Sequence, residues 1–217
     1  MATHEHRDPT SDTQRLHGKR VAFLFTEGVE QVELTEPLRA VRDLGADTSL
    51  VSLQTGEVQM FSHLDRGDTV TADTAVADAD ASHFDALVLP GGVANPDALR
   101  SDSDAVDFVR GFFDQHKPVA VICHGPWTMI EAGVVNGRTM TSWPSLKTDL
   151  RNAGAKWVDR ELQVDGLLVS SRKPDDLPAF CAQLVRHVAG AGDRDAMADD
   201  PTAPADAEPV PGSGAVR

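Results

Sequence analysis

The chain has 217 residues with 41% hydrophobic content, and 20 Lys+Arg against 34 Asp+Glu give a formal net charge of -14. That length supports one sizeable core rather than two, and so acidic a surface repels nucleic acid and anionic lipid. No stretch approaches the ~18 apolar residues of a membrane span, and the two cysteines, Cys123 and Cys181, exclude a disulfide scaffold and are expected to stay reduced in a cytoplasm.

Residues 1–18 are polar, lack the apolar centre of a secretory signal, and read as a disordered arm. Residues 21–25 (VAFLF) are a continuous apolar run, as in a strand buried on both faces. Leu34, Leu38 and Val41 then share one helical face, Gly45 closes that helix, and Pro37 is expected in its first turn or at a kink. Residues 48–53 form the next strand. Residues 54–76, with Gly67-Asp68, indicate a hairpin or an excursion from the main sheet. Residues 86–89 (ALVL) are a buried strand running into Pro90-Gly91-Gly92. Ser101 or Asp102 caps a helix whose apolar face is Val106, Val109 and Phe113.

Lys117-Pro118 stops that helix, and residues 119–122 (VAVI) form a fourth buried strand ending at Cys123. A short helix follows from about Pro126 to Ala132. Asp165-Gly166 is a hairpin signal, and Leu177, Cys181, Leu184 and Val188 make the inner face of a last helix. The remainder is rich in Ala, Asp, Pro and Gly and reads as a disordered acidic tail. The expected organisation is therefore a 1–18 arm, a 19–188 domain and a 189–217 tail. The fold class is α/β: a three-layer sandwich with a mostly parallel sheet and helices on both faces.

The segment AVICHGPW carries the chemistry. A Cys directly after a buried strand and before a helix has the geometry of a nucleophile elbow, at the sheet edge where α/β proteins place ligands. The helix N-terminus behind it favours thiolate, Gly125 permits close backbone approach, and Pro126 suits the first helical position. The alternative, a small buried apolar residue, does not account for a junction followed by His-Gly-Pro. Cys181, on a helix's apolar face, reads as structural.

AVICHGPW, with VLPGG before it and EGVEQVEL after the first strand, resembles the PfpI-like intracellular-protease family. That family lies in the superfamily of the Parkinson-linked deglycase and the class I glutamine amidotransferases. The similarity runs on through GRTMTSWPSLKTDLRNAGAKWVD and SSRKPDDLPAF, covering residues 19–188. It implies a flavodoxin-like, amidotransferase-like fold. Cys123 then matches the nucleophile and His124 its neighbour in the catalytic group. Glu30 matches a buried acid that hydrogen-bonds the sulfur, which must be largely protonated and so raised in pKa; its plain reading is a charge near a helix start. Gly92 and His124 would offer N–H groups to an oxyanion, although Gly92 is equally a turn residue, the reading preferred for Gly91. Asp97 matches the carboxylate that orients the His from a neighbouring subunit. Relatives usually have Glu there, and Asp97 also fits a helix cap. Trp127 and Trp143 either wall the pocket or fill core.

The resemblance implies a cytoplasmic, stress-protective enzyme acting on reactive carbonyls, of the glutathione-independent glyoxalase or protein-deglycase type, or a peptidase with the same nucleophile. Its substrates would be small carbonyls or glycated protein, and its assembly a dimer or hexamer of itself. No His pair has metal-site spacing, and dinucleotide and phosphate-loop motifs are absent, so no metal or cofactor is expected. A glutamine amidotransferase would need a second His downstream, and His187 lacks a Glu two residues on. The non-enzymatic alternative is a redox sensor or chaperone using an oxidisable Cys123.

Overall fold

In the computed structural model, which describes residues 15–190, RVAFL forms β1 (Arg20–Leu24), followed by α1 (Gln31–Arg42) and β2 (Asp47–Ser52). A separate antiparallel pair comes next, β3 (Gly56–Ser62) and β4 (Asp65–Ala72), then the two-residue β5 (Thr74–Ala75). β6 (Ala86–Leu89) leads to α2 (Ala94–Leu99) and α3 (Ser103–Asp114), and β7 (Val119–Ile122) to α4 (Pro126–Glu131). After them come β8 (Thr139–Met140), α5 (Lys147–Asn152), β9 (Lys156–Trp157), β10 (Leu162–Asp165), β11 (Leu168–Ser171) and α6 (Leu177–Ala189).

The main sheet has the order β10-β11-β7-β6-β1-β2-β5, parallel except for the β10–β11 pair. Because successive strand residues face opposite ways, β1 feeds two cores. Val21 and Phe23 pack with Leu34, Leu38 and Val41 of α1 and Phe180, Leu184 and Val188 of α6. Ala22 and Leu24 pack with Val109 and Phe112 of α3, Met129 of α4 and Leu150 of α5. This is the expected three-layer α/β sandwich.

Several local expectations change. Leu16 is fully buried and its N–H donates to the Leu44 carbonyl at 2.8 Å, so residues 15–18 belong to the domain rather than to a disordered arm. Residues 1–14 and the acidic tail beyond residue 190 lie outside the described residues. Pro37 sits inside α1, past its first turn and buried, where it removes the N–H that would pair the Glu33 carbonyl. The β3–β4 turn is at His63-Leu64, with His63 left-handed at φ 58°, while Gly67-Asp68 lies within β4. A side chain at Gly67 would collide with the Gln31 amide, which bonds both Asp68 N and the Asp68 carboxylate. The later turn is Gly166-Leu167, one residue on from the expected pair. Phe108 and Phe112 fill the α3 face, with Phe113 at its margin, and Cys181 is half-buried beside the α6 face rather than within it. Asp102, not Ser101, caps α3, accepting from Ala105 N at 2.9 Å.

No helix among the described residues is long and apolar enough to cross a membrane.

Candidate active site

The carboxyl ends of β1, β6 and β7 lie side by side, so the loops after them meet at one edge. After β1 the chain turns at Gly28 and enters α1 at Glu30. After β6 comes Pro90-Gly91-Gly92. After β7 comes Cys123. Asn95, fully buried, ties two of these loops together: its Oδ1 accepts from Thr26 N at 2.7 Å, and its Nδ2 donates to the carbonyls of Pro90 (3.0 Å) and Gly91 (2.9 Å).

Cys123 is a non-glycine residue in the left-handed region, at φ 62°. Such a conformation costs about 1–2 kcal/mol and persists only where the surroundings enforce it. Here its N–H donates to the Ser171 carbonyl at 3.1 Å and its own carbonyl accepts from Trp143 N at 2.9 Å, which clamps the elbow from both sides. Gly125 is required because a Cβ there would lie 2.8 Å from the Leu89 carbonyl oxygen and from Val121 Cγ2.

Cys123 is only 6% exposed, and His124 Nδ1 lies 3.1 Å from its Sγ. The amide N–H groups of Gly92 and His124 are directed at the sulfur, the pair also expected to face an oxyanion. The acid beside the sulfur is Glu33, not Glu30. Glu33 Oε2 accepts from Gly91 N at 2.9 Å, and its buried Oε1 has no hydrogen-bond partner among the described residues. Glu30 instead ends its loop as the residue before α1, and its carboxylate accepts from His63 N at 3.0 Å on the β3–β4 turn. The reason is helical geometry: Glu33 lies in the first turn of α1, on the same face as Pro37 and Val41, and that face looks into the core.

Electrostatics follow from burial. Desolvation raises Glu33 to about 8, against the pull of the Gly91 N–H. It is therefore mostly protonated at neutral pH and able to donate toward the sulfur. Burial also pushes the Cys123 thiol up, reinforced by any charge on Glu33, and the Gly92 and His124 N–H groups offset this only in part. Burial, which disfavours the thiolate, therefore works against the N-terminus of the six-residue α4, which favours it. Burial lowers His124 to about 4, so its imidazole is neutral.

The His124 ring packs against two indoles, Trp143 at 5.7 Å with 25° between planes and Trp127 at 5.3 Å with 58°. Trp127 Nε1 donates to Asp149 at 2.9 Å, and Arg100 lies over the Trp127 ring at 4.8 Å. Asp97 is not brought to His124 within the chain, nor does it cap a helix: it lies inside α2, more than half exposed, holding Arg100 at 2.6 Å. Gly91 is more than a turn residue, since a Cβ on it would lie 2.6 Å from both Cys123 Cβ and Glu33 Oε2.

Ser145 also escaped the sequence reading; its Oγ lies 3.4 Å from His124 Nε2. His187, the one downstream His, bonds the Gly166 carbonyl at 3.2 Å. Gly166 is at the amino end of β11, the opposite sheet edge from Cys123, so an amidotransferase triad cannot form with it. Among the described residues no group of three or more His, Cys, Asp or Glu is arranged to hold a metal ion.

Comparison with known proteins places these observations in context. The family model described as DJ-1/PfpI family matches residues 19–187. Over 167 residues the chain is 42% identical to Deglycase TK1284 of Thermococcus kodakarensis, covering 77% of this chain and 98% of that protein. It is 40% identical over 170 residues to Protein/nucleic acid deglycase 2 of Escherichia coli, covering 77% and 96% respectively. Among solved structures, Drosophila melanogaster DJ-1beta superimposes with a TM-score of 0.72 at 28% identity, covering 79% of this chain and 91% of that one.

Proposed function

Because the chain belongs to the DJ-1/PfpI family, we propose that it is a cytoplasmic, stress-protective enzyme that processes reactive carbonyls through Cys123, as a glutathione-independent glyoxalase or a deglycase. The observation that carries this reading is the 3.1 Å approach of Cys123 Sγ to a neutral His124 Nδ1, with the protonated Glu33 beside the sulfur. Relatives that bear the name deglycase, at 40% and 42% identity, support the substrate class.

With methylglyoxal as substrate, the sulfur adds to the aldehyde carbon while its proton passes to His124 Nδ1. The carbonyl π pair moves to oxygen, and proton transfer to that oxygen completes a hemithioacetal. His124, again neutral, removes the proton on the thiol-bearing carbon; that electron pair forms the C=C bond while the ketone oxygen takes up a proton, giving an enediol. Protonation of the adjacent carbon, with loss of the hydroxyl proton from the thiol-bearing carbon, yields a lactoyl thioester. Water cleaves the thioester, releasing lactate and restoring the Cys123 thiol. No external oxidant or reductant enters, since one carbon is oxidised as its neighbour is reduced. The N–H groups of Gly92 and His124 stabilise the developing negative charge, and Glu33 supplies a hydrogen bond to the sulfur.

A protein adduct would present the same hemithioacetal-forming carbonyl chemistry, and a peptidase role would use the same thiol and N–H pair. The sensor reading would use the same Cys123 sulfur and is separated by turnover: a sensor reacts once per cysteine, an enzyme many times. Should copies of the chain assemble as a dimer or hexamer, Asp97, whose Arg100 contacts both fall on Oδ1, would be the carboxylate to orient a neighbouring His124.

The test is incubation with methylglyoxal, without glutathione or metal, following lactate beside Cys123→Ser. Many lactates per chain, lost in the variant, are expected. Single-turnover consumption, or equal lactate from both proteins, would overturn the proposal.

A further inference from the structure

A neutral imidazole carries one proton on two nitrogens, and which nitrogen holds it decides what His124 can do. To receive the Cys123 proton, Nδ1 must present its lone pair to Sγ, so the proton must reside on Nε2. The ring packs against both Trp127 and Trp143, which restricts its reorientation. An acceptor at Nε2 is therefore what selects the useful tautomer.

Among the described residues, the side-chain atom in hydrogen-bond reach of Nε2 is Ser145 Oγ, at 3.4 Å. Its place is fixed from the elbow itself. Trp143 N donates to the Cys123 carbonyl at 2.9 Å, and the turn Pro144–Leu146 that follows is closed by Leu146 N to the Trp143 carbonyl at 3.1 Å. Leu146 is fully buried and seats the turn in the core. Ser145 thus moves with the Cys123–His124 pair.

We infer that Ser145 is a positioning residue: its hydroxyl accepts the Nε2–H of His124 and keeps Nδ1 free to take the Cys123 proton. The inference rests on the reading of Cys123 and His124 as the reacting pair, but the tautomer is measured without substrate. The long contact would shorten as His124 gains positive charge in the reaction.

The experiment labels histidine ring nitrogens with nitrogen-15 and assigns His124 by the signals lost in His124→Ala. In the full chain at pH 7, the Nε2-protonated tautomer is expected; Ser145→Ala should shift it toward Nδ1 protonation and Ser145→Thr should retain it. In the methylglyoxal assay, Ser145→Ala should lower kcat roughly tenfold with KM within about twofold, and Ser145→Thr should recover most of the loss. An Nδ1-protonated parent protein, an unchanged tautomer in Ser145→Ala, or an unchanged kcat despite a changed tautomer would each overturn the inference. Absence of methylglyoxal turnover in the parent protein would instead overturn the carbonyl reading, leaving the tautomer to decide the role of Ser145.

Discussion

Glu33→Gln is expected to lower kcat by on the order of a hundredfold while making the folded protein more stable at alkaline pH. Both effects come from one buried carboxyl. In the folded chain its pKa is raised from 4.5 to about 8, chiefly by desolvation. A raised acid binds its proton more tightly when folded, so its contribution to stability is whole below pH 4.5 and is lost as pH rises through about 8. At about 1.4 kcal/mol per pKa unit, the loss amounts to a few kcal/mol. Gln keeps the shape and does not titrate. Its advantage in thermal unfolding should therefore be small at pH 5 and largest near pH 9. Activity should show the same group: kcat/KM of the parent protein falls on the alkaline side near 8, and the variant's residual activity lacks that limb. A variant less stable than the parent at pH 9 would contradict the assignment of desolvation as the dominant cause.

Gly92→Ala is expected to cost about 3 kcal/mol or more in urea unfolding and to abolish turnover. Gly92 sits at φ 80°, where an L side chain is strained. A Cβ there would overlap the Gly28 carbonyl oxygen and lie 2.8 Å from Glu30 N, both of them backbone atoms with no flexible end to move. The relief available is displacement of the loop after β1 from the loop after β6, which would carry the Gly92 N–H away from Cys123. Gly91→Ala separates the two effects. Gly91 is not left-handed, but a side chain there would press on Cys123 Cβ and on the Glu33 carboxyl. Its loss of activity should exceed its loss of stability. A Gly92→Ala protein with parental stability and turnover would mean that the two loops are free to separate.

The core strands are legible in the sequence because each is a short unbroken apolar run, and such runs have few homes other than a sheet covered on both faces. β5, β8 and β9 are not, since two residues carry no period to read. The β3–β4 turn escapes for a different reason: a His in the left-handed region does the work that Gly67-Asp68 promises. The elbow at Cys123 is readable because a cysteine directly after a buried strand and directly before a helix shows in local order alone. Glu33 is the instructive miss. EGVEQVEL offers several carboxylates, and the motif draws the eye to Glu30. The spacing that identifies the buried one is Glu33, Pro37, Val41, a carboxyl set four residues apart on an apolar helical face. Ser145 leaves no such trace, because its approach to His124 depends on the fold bringing residues 124 and 145 together.

On the proposed mechanism Cys123 becomes acylated during carbonyl processing. The most direct measurement mixes the protein with methylglyoxal, quenches in acid early in turnover, and maps peptides by mass. A lactoyl thioester on the peptide containing Cys123, absent in Cys123→Ser and in His124→Ala, is the result the account predicts. Lactate produced at the parental rate with no acyl group on Cys123, or with modification confined to Cys181 or to lysines and arginines, would contradict it.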